Sequence, residues 1–152
     1  MYGNGERSIA FRSEGRFLVI EFHERPYQSS DSEWDRAAMR ATVIAEAGPF
    51  RAKIATLVWN HDISNLLQAL KNINKMVGRD VSATTTFGGY EELVEVSFEL
   101  NKRGSLSIRV ALIDDPLTTA KLWFLIEADQ SYLAGWLSDV ENLLSSFGEV
   151  GK

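Results

Sequence analysis

Two strictly alternating segments, separated by five residues, constrain this 152-residue chain more than any other feature. In "EELVEVSFELN", Val94, Val96, Phe98 and Leu100 fall on one side of an extended backbone, and Glu95, Ser97 and Glu99 on the other. In "SLSIRVALID", Leu106, Ile108, Val110 and Leu112 oppose Ser107, Arg109 and Ala111. A helix would scatter these positions around its circumference, so each segment reads as a strand with one buried face. A slip of one residue would turn an apolar set outward. Both sets therefore share a face only in a register such as Leu100 opposite Leu106, with "NKRGS" as the hairpin loop. Arg109 then faces Ser97, with Glu95 and Glu99 diagonal to it.

The rest of the chain falls into place around this hairpin. "RFLVIEF" is a strand, and "MRATVIAEAG" and "PFRAKIATLVW" read as two strands joined by a turn at Gly48-Pro49. "PYQSSDSE" reads as a loop. From Ile63 the period changes: Ile63, Leu66, Leu67, Leu70, Ile73 and Val77 recur three and four apart, predicting an amphipathic helix that Gly78 ends. Leu122 to Ile126 is apolar without interruption, as in a strand lying centrally or beneath a partner. A second helix is predicted from about Asp129, with Leu133, Trp136, Leu137, Val140, Leu144 and Phe147 on one stripe and Gly148 as its stop. The order is strands, helix, strands, helix. Hairpins closed by single helices predict an α+β fold, mainly antiparallel sheet with two long amphipathic helices, in one domain over residues 1–152.

Composition narrows the function. Cysteine is absent, which removes disulfides and thiolate-bound metals and fits a reducing compartment. No apolar run approaches the roughly 20 residues of a membrane span, and "MYGNGERS" lacks a signal's apolar core, so the expectation is a cytoplasmic protein that does not engage a membrane. The net charge of −5 is uneven: residues 1–79 carry 11 basic and 9 acidic side chains, residues 80–152 carry 5 and 12. An acidic half argues against nucleic-acid binding and for a cationic partner or simple solubility.

Candidate chemistry is sparse. His61 and Asp62 stand at the strand-to-helix junction, where adjacent side chains seldom aim at one point; Asp62 has a sufficient role as a cap for the first helical turn. His23 meets His61 only if the fold brings them together, and two histidines make a poor metal site. "YGNGERS" and "FGGYEE" lack the strand and helix that a phosphate-binding glycine loop requires and read as turns. Asp114 and Asp115, before Pro116, also suit a turn. The residues thus point to no cofactor and no metal. Trp59 and Trp136 belong to the core. Trp34 is open, and Trp123, sharing a face with Lys121, Leu125 and Glu127, is either covered by a helix or exposed as an anchor. The contacts expected for a protein partner are Glu95, Glu99 and Trp123, acids beside an aromatic.

Taken together, the "FLVIEF" strand, "IATLVWNHDISNLLQAL", the "VEVSFELNKRGSLSIRVALID" hairpin and the closing "LWFLIEADQSYLAGWLSDVENLLSSF" resemble the bacterial immunity proteins grouped around WapI, the antidote of a wall-associated contact-dependent toxin, and related domains of unknown function in toxin gene clusters. The resemblance implies a small cytoplasmic protein without enzymatic activity that binds and blocks a cognate toxin, commonly a nuclease with a basic cleft. It assigns no contact residues. The alternative left open is a small-molecule binder or enzyme built on His23, His61 and nearby carboxylates around a cleft.

Overall fold

Eight antiparallel strands form two sheets: the six read from the sequence and two, over residues 8–13 and 81–87, that the sequence reading did not name. A computed structural model describes residues 7–114, 117 and 120–147, Tyr90 by its backbone alone. The expected turn at Asp115-Pro116, the helix stop at Gly148 and residues 1–6 of the "MYGNGERS" stretch lie outside the described residues. The first sheet has the order of the chain: β1 (Ser8–Ser13), β2 (Arg16–Phe22), β3 (Ala38–Ala47) and β4 (Phe50–Trp59). Gly48-Pro49 turns β3 into β4, so that Ala47 faces Phe50. A short helix, α1 (Glu33–Ala37), interrupts these strands where a loop and strands alone are predicted. It is too short to show a period, and only Ser32, whose hydroxyl accepts from the Asp35 N–H at 3.3 Å, marks its start.

α2 (Asn60–Lys75) follows β4 directly, and β5 (Val81–Phe87), β6 (Val94–Leu100), β7 (Ser105–Ile113) and β8 (Lys121–Asp129) form the second sheet, closed by α3 (Leu133–Ser146). Leu100 faces Leu106 and Ser97 faces Arg109, the register the alternation requires. Two details depart from expectation. Val77 is exposed rather than buried, because α2 ends at Lys75. β8 is an edge strand rather than a central one; its uninterrupted apolar run arises because Trp123 and Leu125 lie on the outward face of the sheet.

The inner faces of both sheets, α2 and α3 share one core. Phe11 of β1 meets Phe98 of β6 edge to face at 5.7 Å and Trp136 of α3 at 5.1 Å, joining three elements. Ile63, Leu66, Leu70 and Ile73 of α2 are fully buried, each worth about 1.5–3 kcal/mol in apolar surface removed from water. Outside this core a half-buried cation ties the segments. Arg25 donates to the Ala37 carbonyl at 2.9 Å, the Asn60 Oδ1 at 3.1 Å and the Phe147 carbonyl at 3.3 Å, linking α1, the start of α2 and the end of α3. Burial, and then the like charge of Arg7, hold its guanidinium below the ordinary value.

The passage from β4 to α2 has no connecting loop. Trp59 is the last strand residue, and its backbone N–H donates to Asp62 Oδ2 at 2.9 Å. Asp62 is thus the third residue inside the helix reaching back, not the cap itself; a tryptophan has no acceptor to return the bond, so half a capping box holds this corner. The indole N–H of Trp59 donates to the Trp34 carbonyl at 2.9 Å, and the two rings stack at 4.8 Å. Below the ring lies Gly89 at φ +64°, in the turn that "FGGYEE" predicts; a Cβ there would sit 2.8 Å from the indole. Contrary to expectation, the adjacent His61 and Asp62 side chains do meet, Nε2 to Oδ1 at 3.3 Å, because Trp34 stacks on the imidazole at 5.1 Å and holds it there.

Asp62 is buried, and burial raises its pKa above the ordinary carboxylate value, against the opposing pull of the Trp59 N–H and of His61. A folded-state pKa raised in this way means the folded protein holds the proton more tightly. The resulting stability is present below pH 3.8 and lost as pH rises through the folded value. Asp62→Ala, which removes the acceptor, is expected to cost about 1 kcal/mol in denaturant unfolding. Asp62→Asn keeps an acceptor without the charge, so its stability relative to the parent should improve as pH rises from 3.8 toward neutral; a constant difference would contradict the buried-charge account. Arg25→Ala is expected to cost about 1–3 kcal/mol by the same measurement, since it leaves three acceptors to find other donors.

Candidate protein-docking face

Among the described residues, the outer face of the second sheet has no buried residue and no covering helix or strand. Register builds it in rows: Ser82, Glu99, Ser107 and Glu127; Thr84, Ser97, Arg109 and Leu125; Thr86, Glu95, Ala111 and Trp123. All twelve side chains are exposed or half-exposed. Trp123 is 59% exposed, so the reading that places it under a helix gives way to the one that leaves it open to solvent. Glu95 stands in its row two strands away, about 10 Å across the sheet.

Arg109 lies between the acids and the indole. Its guanidinium carbon is 5.8 Å from the Trp123 ring centroid, within cation–π range. Among the described residues no ion pair joins Arg109 to Glu95 or Glu99. Its diagonal position allowed it to neutralise both, yet the side chain takes the aromatic face instead. Glu127 accepts from the Ser107 hydroxyl at 3.0 Å, which fixes its carboxylate in the row of Glu99. The result is a polar sheet face that carries three carboxylates and one exposed indole.

The outer face of the first sheet differs. Val19 and Ile44 at its centre are buried, and Arg12, lying 5.2 Å over the ring of Phe17, helps to cover it. At one end an apolar-walled cleft of about 680 Å³ opens between Tyr27, Leu57, Trp59 and Leu93, with His23 and Arg40 on its rim. His23 Nε2 lies 2.8 Å from the Thr42 hydroxyl, and Arg40 pairs with Glu24 at 2.6 Å. His61 stacks on Trp34 and does not line this cleft. The two histidines therefore do not share this cleft, and Asp114, exposed just past the end of β7, does not line it. Among the described residues, no three His, Asp or Glu side chains are grouped to hold a metal, and no helix is long and apolar enough to cross a membrane.

Sequence reasoning named Glu95, Glu99 and Trp123 as partner contacts and put Glu127 on the strand face of Trp123 without counting it among them; that Glu127 stands in the row of Glu99 depends on the β7–β8 register. The signal was present: Glu127 shares the parity of Trp123, four residues along the same strand. No curated protein and no solved structure matches the chain. A model of the WapI-like immunity protein family, in contrast, matches residues 9–148, a span that takes in nearly all of both sheets and both long helices. The chain belongs to the WapI-like immunity protein family.

Proposed function

We propose that this chain is a non-enzymatic immunity protein, one domain acting in the cytoplasm, that neutralises a cognate bacterial toxin by covering its active surface with the outer face of the second sheet. Family membership supports the toxin-neutralising role. The observation that carries the choice of surface is the uncovered sheet itself, with Glu95, Glu99 and the exposed Trp123 in one plane. A toxin that cleaves nucleic acid presents a basic cleft to its substrate, and an acidic sheet is its electrostatic complement. Residues 80–152, with 12 acidic and 5 basic side chains, add a field of the same sign, which also disfavours direct binding of nucleic acid by this chain.

Within this reading the residues divide the work. Glu95 and Glu99 steer the encounter and face cationic side chains of the toxin, whereas Trp123 supplies the apolar area that slows dissociation. The rival reading, a small-molecule or catalytic site at the His23 cleft, has His23 and Glu91 in the lining but not His61; among the described residues the His23 imidazole bonds to the Thr42 hydroxyl and to no carboxylate.

Charge reversal separates steering from folding. Glu95→Lys combined with Glu99→Lys should leave stability within about 0.5 kcal/mol, because both side chains are exposed. The same double variant should slow association with the toxin domain encoded beside this chain's gene by about tenfold at low salt and flatten the salt dependence of the rate. Stopped-flow association measured across ionic strengths decides it, and an unchanged rate would count against this face.

A further inference from the structure

Among the described residues β8 has one ladder partner, β7; its other edge approaches β1 and Arg16 from Leu125 onward and borders a short crevice at Trp123. The direction of its backbone groups follows from two hydrogen bonds. The Ile113 N–H donates to the Leu93 carbonyl at 2.9 Å, on the β6 side, so Arg109 and Ala111, sharing its parity, bond toward β6. Their opposites on β8, Leu125 and Trp123, consequently turn their N–H and C=O away from β7. Arg16 bears this out by donating to the outward Leu125 carbonyl at 2.9 Å. The free stretch of edge is centred on Trp123.

The crevice along it has a volume of about 410 Å³ and is lined by Leu122, Trp123 and Phe124 of β8, by Pro49 of the β3–β4 turn and Phe50 at the start of β4, and by Arg16. Phe50 is 64% exposed and Trp123 59%, the two most exposed aromatic side chains among those described, and they flank the same gap. Two such rings left in water beside unpaired strand backbone match what an anchored, extended segment requires: apolar walls for a side chain and main-chain groups for a new strand.

Resting on the reading of this chain as a toxin antagonist, we propose that the β8 edge at Trp123 receives a short extended segment of the toxin. An apolar side chain of that segment sits between Phe50 and Trp123, and its backbone pairs with the outward groups of Trp123 and with the Leu125 N–H, the Leu125 carbonyl being held by Arg16. Lys121 lies at one end of the edge and Glu127 toward the other, on the same face as Trp123. The cationic residues of the segment therefore lie toward Glu127, which orients it. The docking surface thereby extends from the acidic sheet onto Phe50 of the first sheet.

Two measurements on the full chain with the neighbouring toxin domain test this. Phe50→Ser, at an exposed turn position, should keep the unfolding midpoint and weaken the equilibrium affinity at least about tenfold by calorimetry. In the complex of the unsubstituted chain, amide exchange at Trp123 and Leu125 should slow at least about tenfold relative to the free protein, while Leu122, Phe124 and Ile126, already bonded to β7, change little. A complex that forms with exchange at Trp123 and Leu125 unchanged overturns the edge-docking inference and leaves the sheet-face reading standing. Absence of any complex overturns both.

Discussion

Phe11 is the residue on which the rest of the molecule leans. It is the point where the first sheet, the second sheet and α3 touch, through edge-to-face contacts with Phe98 and Trp136. Each such pair is worth about 0.5–1.5 kcal/mol beyond the area it buries, but its larger effect is topological. Because the inner faces of both sheets and both long helices are committed to one core, no described helix or strand remains to cover the outside. The first sheet closes its own outer centre with Val19 and Ile44 under long side chains. The second sheet does not, and its outer face is consequently where charge and an unburied indole collect.

The corner between β4 and α2 supplies the second constraint. A strand that becomes a helix without a loop leaves the first helical amides and the last strand amide to be satisfied locally. Asp62 does so from inside the helix by reaching back to Trp59, at the cost of burying a carboxylate. Trp59, pinned by the Trp34 carbonyl and ring above and by Gly89 below, cannot drift. His61 contacts Asp62 within this arrangement, so a pairing that looks like half of a catalytic relay is accounted for by the corner that holds two elements together.

What the sequence made legible was the part governed by period. Alternation in residues 94–112 yields the strands, their register and the outward set containing Glu95, Glu99 and Arg109, because a half-buried strand tolerates no slip. The spacing of Ile63, Leu66, Leu70 and Ile73 yields α2 for the same kind of reason. What stayed hidden depends on separation. The acceptors of Arg25 lie 12, 35 and 122 residues away, and no local pattern announces them. α1 spans 5 residues, less than two turns, so it has no stripe to read. Continuous apolarity from Leu122 to Ile126 suggested a covered strand, whereas an edge strand with an exposed tryptophan has the same letters. Phe50 looks like an ordinary turn-flanking residue until the two sheets are placed beside one another.

On the proposed function, one side of the molecule is spent on folding and the outer face of the second sheet is the side offered to a partner. An acidic, aromatic-centred sheet on a member of an immunity family fits a toxin whose own surface is basic. The most direct measurement is co-expression of this chain with a candidate toxin domain from a gene adjacent to its own, followed by recovery of the complex and a growth assay. The account predicts a stable complex and restored growth that depends on the amount of this chain. Continued toxicity at excess of this chain, with the two proteins eluting separately, would contradict it.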